Sequence, residues 1–131
     1  WESHPEADGR FGAWMSKSLT LTDRDMFVAE AEGAVEGYAI SQPVTALHLP
    51  AAHDIVGTGI VDDFFHLDLE EPGDTAADTG AARALFRAAE AALAARGSMA
   101  ALAICPAAWL SKKAMLEAMG YETAIVWHIR R

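Results

Sequence analysis

Residues 79–105 read TGAARALFRAAEAALAARGSMAALAIC, and the way this stretch divides decides the fold. From Thr79 to Arg96 nearly every residue is Ala, Leu, Arg or Glu, the strongest helix formers. Leu85, Ala89 and Ala92/Leu93 fall on one stripe at helical spacing. Asp78 or Thr79 caps the start and Gly97 ends it. Met99 to Cys105 is then a continuous apolar run of strand length, the pattern of a strand buried on both faces. Upstream, Ile60 to Leu69 (IVDDFFHLDL) mixes aromatic and aliphatic residues with acids and reads as a strand in the middle of a sheet. Strand, helix and strand in that order demand a right-handed parallel crossover. The predicted class is a mixed α/β sheet.

The flanks extend this unit. Met26 to Ala31 and Val35 to Ile40 are short β-prone runs around Glu32-Gly33-Ala34, which predicts a hairpin with glycine in its turn. Phe11 to Leu21 spaces Phe11, Trp14, Met15 and Ser18/Leu19 as one amphipathic helix. Ser41 to Gly59 holds two Pro, two Gly and two His without a helical period, a connection long enough to face a substrate. After Cys105, Pro106 opens a helix over Ala107 to Met119 closed by Gly120, and Tyr121 to Ile129 reads as a last strand.

With 131 residues, 52% of them hydrophobic, the chain is sized for one domain and apolar enough to bury a core. No apolar stretch approaches the roughly 18 residues of a membrane span, and no signal peptide opens the chain. A single cysteine, Cys105, excludes an internal disulfide framework and suits a reducing compartment, so a cytoplasmic protein is expected. A net charge of −9 argues against nucleic acid as a partner. Residues 1–79 carry 16 of the 19 acidic side chains but only 3 of the 10 basic ones. That division offers an anionic cofactor the second half and a cationic acceptor the first, although acidic loops facing water would look the same.

The start of the helix at residue 80 carries chemistry of its own. Helix N-termini present backbone N–H groups and a partial positive charge, and Gly80, Ala81 and Ala82 leave that backbone bare enough for a pyrophosphate. Arg83 and Arg87 follow within two turns, able to meet a phosphate or to remain solvated. His48, His53 and His66 match no metal-ligand spacing, and no metal site is expected. Cys105 reads more readily as a buried apolar residue than as a nucleophile partnered by His66.

Three segments taken together resemble the GCN5-related N-acetyltransferase (GNAT) superfamily over about 105 residues from Met26 to the C-terminus. MFVAEAEGAVEGYAI is similar to that family's second and third strands. ADTGAARALFRAAEAALAARG resembles its cofactor turn, usually Q/R-x-x-G-x-G/A, with the helix that follows, and LSKKAMLEAMGYE resembles its fourth helix and terminal Gly-Phe/Tyr. The resemblance implies an acyl-CoA N-acyltransferase fold whose central strands splay apart, with the family's first strand lacking here. One domain over residues 1–131, incomplete at its N-terminus, is therefore expected. Residues upstream of Trp1, or a partner chain such as a second copy in a homodimer, would cover the first sheet edge.

The resemblance also implies acetyl-CoA as acyl donor and a primary amine of a small molecule or peptide as acceptor, joined by direct attack in a ternary complex. Cofactor contacts would fall on Asp78, Thr79, Gly80, Ala81, Ala82 and Arg83 at the pyrophosphate, and on Leu67, Asp68 and Leu69 at the thioester, with a backbone N–H there as oxyanion donor. Asp62 and Asp63, with His66 beside them, are the candidates for the base. The sequence also departs from the family pattern. Ala77 stands where a Gln or Arg is usual, so Lys112 or Lys113 would supply the missing charge; Leu116 stands where many members have the acid Tyr, and Trp109 where many have Asn. Tyr121 is one substitute for that acid. The alternative is a catalytically degenerate domain that keeps acyl-CoA for binding, regulation or assembly.

Overall fold

The computed structural model describes residues 4–44, 57–70 and 79–128. Their order is α1 (Ala7–Ser18), β1 (Asp25–Ala31), β2 (Ala34–Pro43), β3 (Thr58–His66), a 3-10 turn (Leu67–Leu69), α2 (Gly80–Ala95), β4 (Ala100–Ala103) and α3 (Leu110–Ala118). The strands form one sheet in the order β1-β2-β3-β4, antiparallel through the first three and parallel between β3 and β4. The crossover unit around α2 and the central place of β3 are as the sequence predicts. Most of the expected substrate-facing connection, residues 45–56, lies outside the described residues, as does Asp78.

The β1–β2 hairpin closes through Glu32 and Gly33, both with positive φ (51° and 81°), the pattern of the two-residue type I′ turn that suits the right-handed twist of its strands. α2 buries Ala82, Leu85, Phe86, Ala89 and Leu93, one helical stripe, against Ala39, Val61 and Phe64 of the sheet. Phe64 meets Phe86 edge-on at 5.2 Å. Gly59 permits this close approach: a Cβ there would lie 2.5 Å from Leu93 Cδ2. Both α2 and α3 end in the expected glycine, Gly97 (φ 88°) and Gly120 (φ 91°). In each case the next residue's N–H reaches back to a carbonyl five residues earlier, Ser98 to Leu93 and Tyr121 to Leu116, the Schellman arrangement.

Several expectations are corrected. The first helix begins at Ala7, not Phe11, because its first turn is polar and carries Asp8 where the helix dipole favours an acid, so no apolar stripe marks it. β3 ends at His66; Leu67–Leu69 curl into the 3-10 turn because His66 Nδ1 accepts the Asp68 N–H at 3.1 Å. β4 has four residues, is only partly buried and is the last strand of the sheet among those described, with Met99 85% exposed beside it. α3 starts at Leu110, since residues 106–109 close a turn through the Trp109 N–H and the Pro106 carbonyl. Residues 121–128 form no strand, and Ile125, Val126 and Trp127 stand exposed: β-prone alternation becomes a strand only where a neighbouring edge pairs with it.

Candidate active site

The pairing of β2 with β3 contains a register shift. Ile40 faces Asp63 while Ser41 faces Val61, so Asp62 is an extra residue, a β-bulge that bends its strand. On the other edge, β3 pairs with β4 only as far as Val61 and Ala103, with a last contact from the Ile104 N–H to the Val61 carbonyl at 3.3 Å. Among the described residues no pairing joins the two parallel strands beyond this point. That unpaired gap lies at the carboxyl ends of adjacent parallel strands, where α/β sheets bind ligands.

The two adjacent acids have different surroundings. Asp62 accepts from Gln42 Nε2 at 3.0 Å. Its carboxyl is pushed above the usual range, first by burial and then by the charge of Asp63, against the opposing pull of Arg24. Asp63 accepts from the Tyr38 hydroxyl at 3.0 Å and from the Phe64 N–H at 2.9 Å. Burial and the neighbouring Asp63 in turn push the Tyr38 phenol up. Around this pair runs a row of rings: Trp14 against Phe11 (5.9 Å), Phe11 against Tyr38 (6.1 Å), Tyr38 against Phe65 (6.4 Å) and Phe65 against Trp109 (6.5 Å). His66, expected beside the acids, is buried; its Nδ1 holds the 3-10 turn and its Nε2 has no hydrogen-bond partner among the described residues. It shapes the turn.

Side chains from the start of α3 reach into the gap. Lys112 is buried and its Nζ donates to the Phe64 carbonyl, with the Trp109 ring centre 4.2 Å away. Burial pulls this ammonium below the ordinary lysine range, opposed by Asp63 and Cys105. Trp109 Nε1 and Ser111 Oγ both donate to the Leu69 carbonyl, at 2.6 and 3.3 Å. Cys105 lies near the carbonyls of Pro106 and Trp109, and burial pushes its thiol up, toward the protonated form, despite Lys112 and Lys113. Tyr121 gives its hydroxyl to Glu90 Oε1 at 2.7 Å and its ring to Phe86, a position committed to α2.

The start of α2 meets the 3-10 turn that follows β3. Gly80 and Ala81 are exposed, and the Ala82 N–H donates to Asp68 Oδ2 at 3.2 Å. An anionic oxygen thus already rests on an N-terminal amide of α2, and the backbone there fits an anion such as a phosphate. Arg83 Nε donates to Thr79 Oγ1 at 3.0 Å, close to the same amides. Lys113 points outward to Glu117 at 3.7 Å, a weak exposed pair that leaves it able to swing. Lys112 is the exception among the expected phosphate residues: its ammonium is held in the gap by Phe64, not at the helix start. In the turn itself, the Asp68 N–H is taken by His66 and the Leu67 carbonyl by the Glu70 N–H, so much of its backbone is already engaged.

The bulge at Asp62 and the inward Lys112 had no signal in the sequence. Tyr38 had a faint one, since alternation in Val35 to Ile40 places it on one face with its neighbour across the sheet.

Among the described residues no group of three His, Cys, Asp or Glu could hold a metal ion, and no helix is long and apolar enough to cross a membrane. No protein-family model matches the sequence, and no curated protein matches it. Solved structures do match. AAC(6')-Iy, an aminoglycoside N-acetyltransferase, in complex with the bisubstrate analog CoA-S-monomethyl-acetylneamine, is 18% identical with a TM-score of 0.72, over 100% of this chain and 84% of the other. The aminoglycoside 6'-N-acetyltransferase AAC(6')-IG from Acinetobacter haemolyticus is 12% identical with a TM-score of 0.70, over 100% and 84%. A ribosomal-protein-alanine N-acetyltransferase from Brucella melitensis biovar Abortus 2308 is 16% identical with a TM-score of 0.58, over 91% and 79%. These acceptors differ while the backbone is shared, and the chain has the fold of the GCN5-related N-acetyltransferases, a mixed α/β acyl-CoA N-acyltransferase architecture.

Proposed function

We propose that this chain transfers an acetyl group from acetyl-CoA to a primary amine of a small molecule or peptide, by direct attack while both are bound. The observation that supports the reading is the gap itself: β3 and β4 stop pairing at Val61 and Ala103, beside the bulge at Asp62, and the start of α2 meets the turn that follows β3. Thr79, Gly80, Ala81, Ala82 and Arg83 would hold the pyrophosphate, with Lys113 to add charge. The expectation for Asp78 stands beside them as part of the same proposal.

From there the acyl arm would run along the 3-10 turn, past Leu67, Asp68 and Leu69, into the narrowing gap. The Phe64 N–H, which rests on the carboxylate of its own neighbour Asp63, is the donor nearest the bulge that could turn to a thioester oxygen. Asp62 and Asp63 would take the proton that the acceptor ammonium must lose. Asp62 is the stronger base of an ordinary carboxylate's kind because burial and Asp63 raise it. Tyr38 would hold Asp63 in place. The acidic balance of residues 1–79 supports a cationic acceptor.

A second reading, a domain that binds acyl-CoA without turning it over, is favoured by one observation. Leu116 packs against the core where the family often has an acid, and the Tyr121 hydroxyl is spent on Glu90. Calorimetry with acetyl-CoA, followed by thiol release over a panel of amines, separates the two. Binding with amine-dependent thiol release is expected. Binding without release for every amine would select the second reading, and no binding would overturn both.

A further inference from the structure

The gap that the proposed reaction needs already contains a primary amine belonging to the chain. Lys112 is on the first turn of α3, buried, and its Nζ sits on the Phe64 carbonyl, two residues beyond the bulge at Asp62. Its neighbour Lys113 faces the opposite way, about half exposed and paired with Glu117. A buried lysine stabilised only for packing would be expected to meet a carboxylate within contact distance. This one has a carbonyl, the Trp109 face at 4.2 Å and the Phe64 ring at 5.5 Å. Asp63 is near enough to act on it through charge but forms no ion pair with it among those found.

We propose that Lys112 is a self-acetylation site: with an acetyl thioester of CoA in the gap, its Nζ takes the acetyl group in the absence of another amine. The inference rests on the acyl-CoA reading above. In the step, the neutral amine attacks the acetyl carbonyl carbon, an N–C bond forms and the C–S bond breaks. The nitrogen loses one proton, which passes to the Asp63 carboxylate or to water, and the departing sulfur takes up one proton to leave as free CoA thiol. No oxidant, reductant or further reactant is needed. Two features favour this amine over the others. Its Nζ sits on β3 just beyond the end of that strand's pairing with β4, where the proposed reaction would bring the thioester, and burial lowers its affinity for the proton, so more of it is neutral and nucleophilic at pH 7. Acetylation would remove the charge above Trp109 and the ammonium bond to Phe64, so the product also changes the shape of the gap.

The test uses the full chain with acetyl-CoA alone. Peptide mass mapping over time is expected to show one acetyl group on Lys112 well before any on Lys17 or Lys113, with the preference lost in denatured protein. Lys112→Arg should lose that modification. A readout independent of the cofactor is competitive labelling with acetic anhydride across pH: Lys112 should become reactive at lower pH than Lys17 and Lys113, by about tenfold in neutral fraction per pKa unit. Calorimetry with CoA runs in parallel. Binding of CoA with Lys112 unmodified, or modified no faster than the exposed lysines, overturns self-acetylation and leaves the proposed function standing. Failure to bind CoA together with an unmodified Lys112 overturns both.

Discussion

The carboxylate of Asp68 accepts the backbone N–H of Ala82 at 3.2 Å, so the turn that follows β3 and the start of α2 are joined by an acid. Asp68 does two things there at once. It satisfies one of the amides a helix leaves open, and it places negative charge where a diphosphate would bring more.

Asp68→Asn is therefore expected to tighten CoA binding, since the amide still offers an oxygen to Ala82 but no longer repels phosphate. A gain of several-fold, on the order of 1 kcal/mol, fits a partly exposed charge near a helix end. The same variant should lose some thermal stability for the same reason. Calorimetry and a melting curve measure both, and weaker CoA binding would show that Asp68 positions the turn rather than competing with phosphate.

Gly80→Glu separates binding from folding. Gly80 is exposed on the first turn of α2, where a glutamate is well placed for the helix dipole, so the melting temperature should hold or rise. CoA binding should disappear, because the new side chain fills the approach to the amides and repels phosphate by a few kcal/mol at short range, on the order expected of like charges in a partly desolvated site. Binding equal to the parent's would remove the helix start from the cofactor site.

How much of this was legible before the structure depends on range. The helix of residues 80–95, its glycine stop and the strand after it are written in local composition. The bulge at Asp62 is not: a register shift is a property of two strands, and nothing in IVDDFF distinguishes a bulge from regular pleating. The same holds for Lys112 and Lys113, adjacent and identical in type, of which one turns inward and the other out. His66 is expected near two acids; its burial comes from alternation with Phe64 on one face of β3. The strand expected over Tyr121 to Ile129 is absent over residues 121–128 for the opposite reason, a good local pattern without a bonded neighbour; Ile129 lies outside the described residues.

Asp63→Asn should leave CoA binding within about twofold and lower turnover with an amine by roughly 100-fold, the usual scale for a lost general base. Tyr38→Phe, which removes the hydroxyl that holds Asp63 at 3.0 Å, should lower turnover less and leave binding alone. Turnover by the parent should fall on the acid side at a pH above the ordinary carboxylate range, because Asp62 is raised and must be charged to accept a proton. Steady-state rates across pH, with thiol release as the signal, test all three.

The raised Asp62 also makes a stability prediction with a definite sign. Its folded-state pKa lies above its unfolded value, mainly through burial and then through Asp63, so the folded state binds the proton more tightly. The stability this contributes is present below the unfolded pKa and is lost as pH rises through the folded one; at pH 7 the charged carboxylate is a burden on the fold. Asp62→Asn keeps an oxygen for Gln42 Nε2 and removes the charge. The variant should therefore melt higher than the parent at pH 7, and the difference should shrink as pH falls and the parent's own Asp62 takes up a proton. Melting curves from pH 7 down to about pH 4, near the unperturbed carboxylate, decide it: a difference that does not change over that range would mean Asp62 is not the titrating group.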